Sequence, residues 1–274
     1  MRPPHVAIAG DAAMVFAMAA SLDRSCRPRL TLIPADPGAP AETPAPRDGI
    51  RIARAAEPAD IFDAVVFCAP PGAPRGELAA LMGDVGSRAA AACPRTVLIV
   101  AAEDSLALAQ RAARVTRLDP SLVLATGGMP RVERERARLA ARHDVDPSQV
   151  QAVVIGADEP SSVRLVHRYT SVAGIPTDML GDPDRRGAEP AGGGAAAGAL
   201  ARAGAALARA VVQDRRAVFC CGARIGDALG IPGGWIAAPV RVGAAGALEP
   251  IPLRLTVEER SFLMSAARLP ADGA

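Results

Sequence analysis

The first 125 residues alternate short apolar runs with longer stretches of helical pattern, and that alternation leaves few folds open. His5–Gly10 (HVAIAG), Arg29–Ile33 (closed by Pro34), Asp63–Cys68 (closed by Pro70 and Pro71) and Thr96–Val100 read as strands. Asp11–Leu22, Glu77–Ala92 and Ser105–Arg117 read as helices between them, and the proline-rich stretch 34–50 as a loop. Strands this short and this uniformly apolar are covered on both faces, which is the condition of a parallel sheet with crossover helices. The expected fold class is therefore α/β, with a doubly wound parallel sheet over residues 1–125.

After Gly127-Gly128 the pattern changes. Arg131–His143 reads as a highly charged helix with a solvated face, Val150–Ile155 as a strand, and Ala195–Gln213 as an Ala-rich helix. Ala217–Cys221, Gly234–Val242 and Leu248–Leu255 read as a mostly antiparallel sheet. Thr256–Leu269 reads as a final helix, with Thr256 as N-cap and Glu259 three residues on. Residues 126–274 are accordingly expected to form an α+β domain.

Composition narrows the chemistry. All 31 basic residues are Arg, and the chain has no Lys and no Asn. We read this as the mark of a GC-rich, bacterial genome. Without lysine there is no Schiff-base chemistry and no P-loop lysine. A net charge of +2 gives no electrostatic case for nucleic acid. Cys26, Cys68, Cys93, Cys220 and Cys221 are odd in number and lack CxxC spacing, so they are expected to be free thiols. The three histidines are scattered and suggest no zinc site. The N-terminus enters a strand directly, without a signal-peptide pattern. Ala191–Val212 is too weakly apolar to span a membrane. These features lead us to expect a cytoplasmic protein.

Four segments carry a family resemblance: HVAIAGDAAMV, DAVVFCAPPGAPRGE, SLVLATGGMPRVERERARLAARHDVDPSQVQAVVIGADEPSSV, and RRAVFCCG with APVRVGAAGALEPIPLRLTVEERSFLMSAA. In order and spacing the chain resembles the lactate/malate dehydrogenases, a Rossmann-like nucleotide-binding domain followed by an α+β domain. The resemblance implies NAD-dependent oxidation of a 2-hydroxy acid. A His takes the hydroxyl proton, an Asp orients it, one Arg forks onto the substrate carboxylate, and a second Arg on a mobile loop polarises the carbonyl.

Residue by residue, much of that machinery is replaced. The family His falls on Asp158, followed by Glu159, and the orienting Asp falls on Arg131. Asp158 and Arg131 are the candidate catalytic positions, and they would form a salt bridge of reversed polarity. Asp158 would stand in for an imidazole only if burial raised its pKa strongly. Arg134 matches the carboxylate-binding Arg. The loop Arg falls on Ala79, with Arg75 nearby, and the family's Asn-Pro becomes Ala102-Glu103. The Gly-x-Gly-x-x-Gly turn becomes Gly10, Ala12 and Val15, and the ribose-binding acidic residue falls on Pro34, with Asp36 beyond it. The expectation is a divergent family member without ordinary 2-hydroxy acid oxidation and without a cofactor. Its cleft (Arg75, Arg131, Arg134, Asp158, Glu159) would serve an anionic ligand, non-redox chemistry or a partner protein. The alternatives are an NAD(P)-dependent oxidoreductase with an altered site and a structural subunit of an oligomer. A homo-oligomer is expected on the resemblance.

Overall fold

The computed structural model describes residues 3–35, 49–53, 60–158, 162–180, 197–226, 229–231 and 233–267. The chain opens with β1 (His5–Gly10), α1 (Ala12–Cys26), β2 (Arg29–Pro34), β3 (Ile50–Ile52) and β4 (Ala64–Cys68). It continues through α2 (Arg75–Leu81), a π-helical turn at Met82–Gly86, α3 (Ser87–Ala92), β5 (Val97–Ala101), α4 (Ser105–Thr116) and β6 (Val123–Ala125). Next come α5 (Met129–His143), β7 (Val150–Gln151), β8 (Val154–Gly156), β9 (Val163–Leu165), β10 (Ser171–Val172) and β11 (Ile175–Pro176). The chain ends with α6 (Ala197–Val212), β12 (Ala217–Ile225), β13 (Gly234–Gly243), β14 (Gly246–Pro250) and α7 (Val257–Ala267).

The strand order is β3-β2-β1-β4-β5-β6-β12-β13-β8-β9, with β14 paired to β13. The first six are parallel. The chain winds outward from β1 through β2 to β3, then returns to β4 on the other side of β1. That reversal makes the β1/β4 edge the topological switch point, where doubly wound sheets bind their ligands. At Gly222↔Ala125, β12 joins β6 antiparallel, so the second half extends the same sheet with antiparallel strands.

β1, β4 and β5 are buried along their whole length, as their unbroken apolar runs require. On one face α1 and α6 cover them with Met18, Leu22, Leu200 and Leu207. On the other, α2, α3 and α4 close over Phe67, Leu98 and Val100. Each such side chain contributes about 1.5–3 kcal/mol on burial.

Three expectations are corrected in detail. Residues 77–92 are not one helix, because the π-helical turn interrupts them. The strand expected at Val150–Ile155 is two. β7 joins a small sheet with β10 and β11, and the chain crosses at Ala152 and Val153 before β8 enters the large sheet. The charged α5 is not solvated throughout, since Arg131 and Glu135 are buried. The α7 capping box is present: Thr256 N–H donates to Glu259 Oε2 (2.8 Å) and Glu259 N–H to Thr256 Oγ1 (3.2 Å).

Candidate active site

The C-terminal ends of β4 and β5 open into a crevice of about 230 Å³ whose lining includes residues 69–70, 72–75 and 102–104. Two carboxylates on one wall hold the other. Arg75 opens α2 and places Nε 2.6 Å from Asp104 Oδ2, while Glu103 Oε2 accepts from Gly72 N–H at 3.2 Å. A helix therefore begins where the family resemblance places a mobile loop. Ala79, at the position of the polarising Arg, is buried on that helix. The anion expected at Arg75 is supplied by the chain itself.

Asp158 follows β8 and reaches across to the N-terminus of α4. Its Oδ1 accepts from Ser105 Oγ (2.8 Å) and its Oδ2 from Leu106 N–H (2.5 Å). Ser105 Oγ in turn accepts from Gly127 N–H at 3.0 Å. The first N–H groups of a helix lack intrahelical partners and favour negative charge. Asp104, the N-cap by position, makes no capping hydrogen bond, so a carboxylate from 53 residues away does that work. Burial pushes the Asp158 carboxyl up to about 7, against the pull of these two donors; neighbouring Asp104 raises it further and Arg75 lowers it.

The expected Asp158–Arg131 bridge is not what either residue makes. Arg131 is buried and pairs along its own helix with Glu135, Nη2 to Oε1 at 2.7 Å. Glu135 Oε2 also takes Arg138 Nε at 2.9 Å. Glu135 pairs with Arg131 Nη2 from one turn away, while Arg131 Nε and Nη1 stay buried without a hydrogen-bond partner among the described residues, and Asp158 is drawn to the helix end instead. Arg134 is half-buried one turn along from Arg131. Glu159 lies outside the described residues, as does Asp36.

At the switch point, Gly10 ends β1 with φ +138°, and a Cβ there would sit 1.8 Å from the Cys68 carbonyl oxygen. Only glycine meets that requirement. Asp11 caps α1, its Oδ1 accepting from Met14 N–H at 3.0 Å, which puts a carboxylate at the helix end where this fold places a pyrophosphate. Val15 is fully buried against the sheet, and Pro34 leaves no side-chain acceptor at the end of β2. The turn and the helix N-terminus fit a dinucleotide's phosphates, with Asp11 competing for the same N–H groups.

Sequence reading missed Ser105 and Glu135. Glu135 carries a signal, since it lies four residues from Arg131 on a helix. Ser105 carries none, because its partner is distant in the chain. His167 Nδ1 lies 3.1 Å from Thr177 Oγ1, and Tyr169 Oη accepts from Arg254 N–H, which ties both side chains into the surrounding structure. Burial pushes the Cys220 thiol up to about 11 and Cys221 higher still, so neither is an activated nucleophile. Among the described residues no His/Cys/Asp/Glu cluster suits a metal, and no helix is long and apolar enough to cross a membrane.

No protein-family profile matches the chain. It is 31% identical over 199 residues to malate dehydrogenase of Thermomicrobium roseum, covering 68% of this chain and 64% of that protein. The match to the Thermoplasma volcanium malate dehydrogenase likewise spans less than two thirds of the relative's length, at 57%. The structure superposes on malate dehydrogenase from Salinibacter ruber with a TM-score of 0.78 at 21% identity, over 96% of this chain and 94% of that one. It also superposes on the Cryptosporidium parvum lactate dehydrogenase, solved with lactic acid and nicotinamide adenine dinucleotide, with a TM-score of 0.75 at 20% identity. That superposition covers 97% of this chain and 95% of the other. The expectation of no cofactor is overturned by these relatives, which are malate and lactate dehydrogenases, one of them solved with the dinucleotide in place. It rested on Ala12, Val15 and Pro34 and gave too little weight to the retained Gly10 turn. With these relatives and a fold shared over nearly its whole length, the chain is a distant member of the lactate/malate dehydrogenase family.

Proposed function

We propose that this protein binds a nicotinamide dinucleotide at the β1–α1 turn and no longer performs ordinary 2-hydroxy acid oxidation. The observation that carries the second half is Asp158. At the position of the family's proton-accepting His, its two oxygens cap α4 through Ser105 and Leu106. The residue that should orient that base, Arg131, is a cation committed to Glu135. Gly10 would keep the tight turn that leads the dinucleotide's phosphates to α1, whose first-turn N–H groups would hold them past the Cβ of Ala12 once Asp11 yields. The bound group would supply a hydride acceptor or donor. Arg134 is the one substrate-facing position that keeps the family's residue type.

A second reading has a specific observation in its favour. A carboxyl raised to about 7 has the proton affinity of the imidazole it replaces, so Asp158 would serve as the base of an altered oxidoreductase. A titration with NADH and NADPH, followed by nucleotide fluorescence and thermal stability together, tests the binding. Saturable binding and stabilisation are expected, about 2.7 kcal/mol at a hundred times the dissociation constant. No binding at millimolar nucleotide would refute the proposal. Malate and lactate turnover then separates the two readings. None is expected on the first, whereas turnover that rises through about pH 7 and vanishes in Asp158→Asn would establish the second.

A further inference from the structure

Little holds residues 72–77 in place. Gly72, Pro74, Arg75, Gly76 and Glu77 are exposed, and the side chains that α2 buries are those of Leu78 and Ala79. Among the described residues, two contacts carry this segment across the crevice to the start of α4. Gly72 N–H donates to Glu103 Oε2 at 3.2 Å, and Arg75 Nε to Asp104 Oδ2 at 2.6 Å. The Arg75 side chain is 58% exposed and that of Asp104 31%, so water and salt screen the pair and it stabilises the closed arrangement only weakly. A segment with few buried apolar contacts and exposed hydrogen bonds opens locally while the sheet beneath it stays folded.

Both ends of the segment suit such an opening. At one, Gly72 follows Pro70 and Pro71 with φ +76° and open space around its missing Cβ. At the other, the π-helical turn at Met82–Gly86 interrupts the helix beyond α2. Single π turns are frequent at functional positions, and hinges form where an element begins or ends. The segment also lies on the route of a dinucleotide. Asp11 N–H donates to Cys68 O at 3.0 Å, which sets the β1–α1 turn against the end of β4, and residues 69–75 leave from that end. A dinucleotide held at the start of α1 lies along the carboxyl ends of the strands. It therefore meets the ends of β4 and β5, which residues 72–77 bridge to α4.

We propose that residues 72–77 are a latched strap over the nucleotide crevice, closed by Glu103 and Asp104 in the absence of ligand and swinging about the π-helical turn to admit a nicotinamide dinucleotide. This rests on the reading that the dinucleotide binds at the β1–α1 turn. The chain's own carboxylates close the strap, so opening is the step that limits entry. A protein whose competent state is only partly populated binds more weakly and more slowly by that fraction.

Arg75→Met separates a latch from charge steering, because the two predict opposite signs. NADH is an anion, so losing a cation beside its route slows association by steering alone, whereas losing the latch speeds it. Parent and variant are compared by stopped-flow fluorescence of NADH and by hydrogen exchange resolved at Gly72. Association about threefold faster is expected, with exchange at Gly72 faster by about the same factor although its acceptor Glu103 is untouched. Association no faster than the parent's would overturn the proposal. Unchanged exchange at Gly72 would overturn it too, since the two contacts would then be independent. NADH that binds neither protein refutes the nucleotide reading, and the strap falls with it as a gate. NADH that binds both at one rate refutes the strap alone. Asp104 makes no capping hydrogen bond to α4, so Asp104→Ala should also speed exchange at Gly72, and that result decides if Arg75→Met does not fold.

Discussion

Asp158→Asn isolates the largest electrostatic consequence of this architecture. The wild-type carboxyl is raised from 3.8 to about 7 by burial. A rise of about three units amounts to about 4 kcal/mol. The sign follows from linkage. The folded state holds this proton more tightly than the unfolded chain, so the residue's contribution is most favourable below about pH 4, where both states are protonated. It is lost progressively as pH rises towards about 7, where the folded protein must carry the charge as well. Asparagine keeps an acceptor for Leu106 N–H or Ser105 Oγ and cannot ionise. Urea unfolding of both proteins between about pH 3 and about pH 8 gives the answer as a difference, in which the other carboxylates cancel. The variant should gain on the wild type as pH rises, by an amount approaching about 4 kcal/mol and levelling above about pH 7. A difference that is flat with pH, or that moves in the wild type's favour, would refute the reasoning.

Glu135→Gln should destabilise the protein by about 3–5 kcal/mol in the same unfolding assay, because it leaves the buried Arg131 charge without its partner. Gly10→Ala meets the Cys68 carbonyl and a left-handed φ at once, and should cost more than about 4 kcal/mol or prevent folding, as seen by circular dichroism and soluble yield. Thr256→Ala removes the α7 capping box and should lower stability by about 1 kcal/mol, read as a shift in the urea midpoint.

The parallel half was legible in the sequence because buried strands announce themselves. β1, β4 and β5 are five- or six-residue apolar runs bounded by turns, and burial on both faces leaves no other composition. β6, of three residues, gives too little pattern to read, and the sheet change between β7 and β8 is fixed by partners distant in the chain, such as Thr170 Oγ1, which accepts from Val153 N–H. The α7 cap was legible because both of its partners lie within one helical turn. The contacts of the site were not legible. Asp158 and Arg131, which the family resemblance pairs, each found another partner. Glu135, four residues from Arg131, offers a buried cation a nearer carboxylate than Asp158 does, and the uncapped start of α4 offers Asp158 two donors. A local sequence pattern records the first and cannot record the second. The cofactor expectation failed for a related reason. Ala12 and Val15 depart from the glycine pattern of the turn, whereas Gly10 keeps the positive φ on which the turn itself depends.

The central claim is that a dehydrogenase fold has kept its nucleotide turn while its acid/base position became a helix cap. A single-turnover experiment tests it most directly: the protein in excess over NADH, mixed with oxaloacetate or pyruvate, with nicotinamide absorbance followed over time. The account predicts bound NADH whose absorbance stays constant on addition of either 2-oxo acid. Stoichiometric, substrate-dependent loss of that absorbance would contradict it and make Asp158 a working acid.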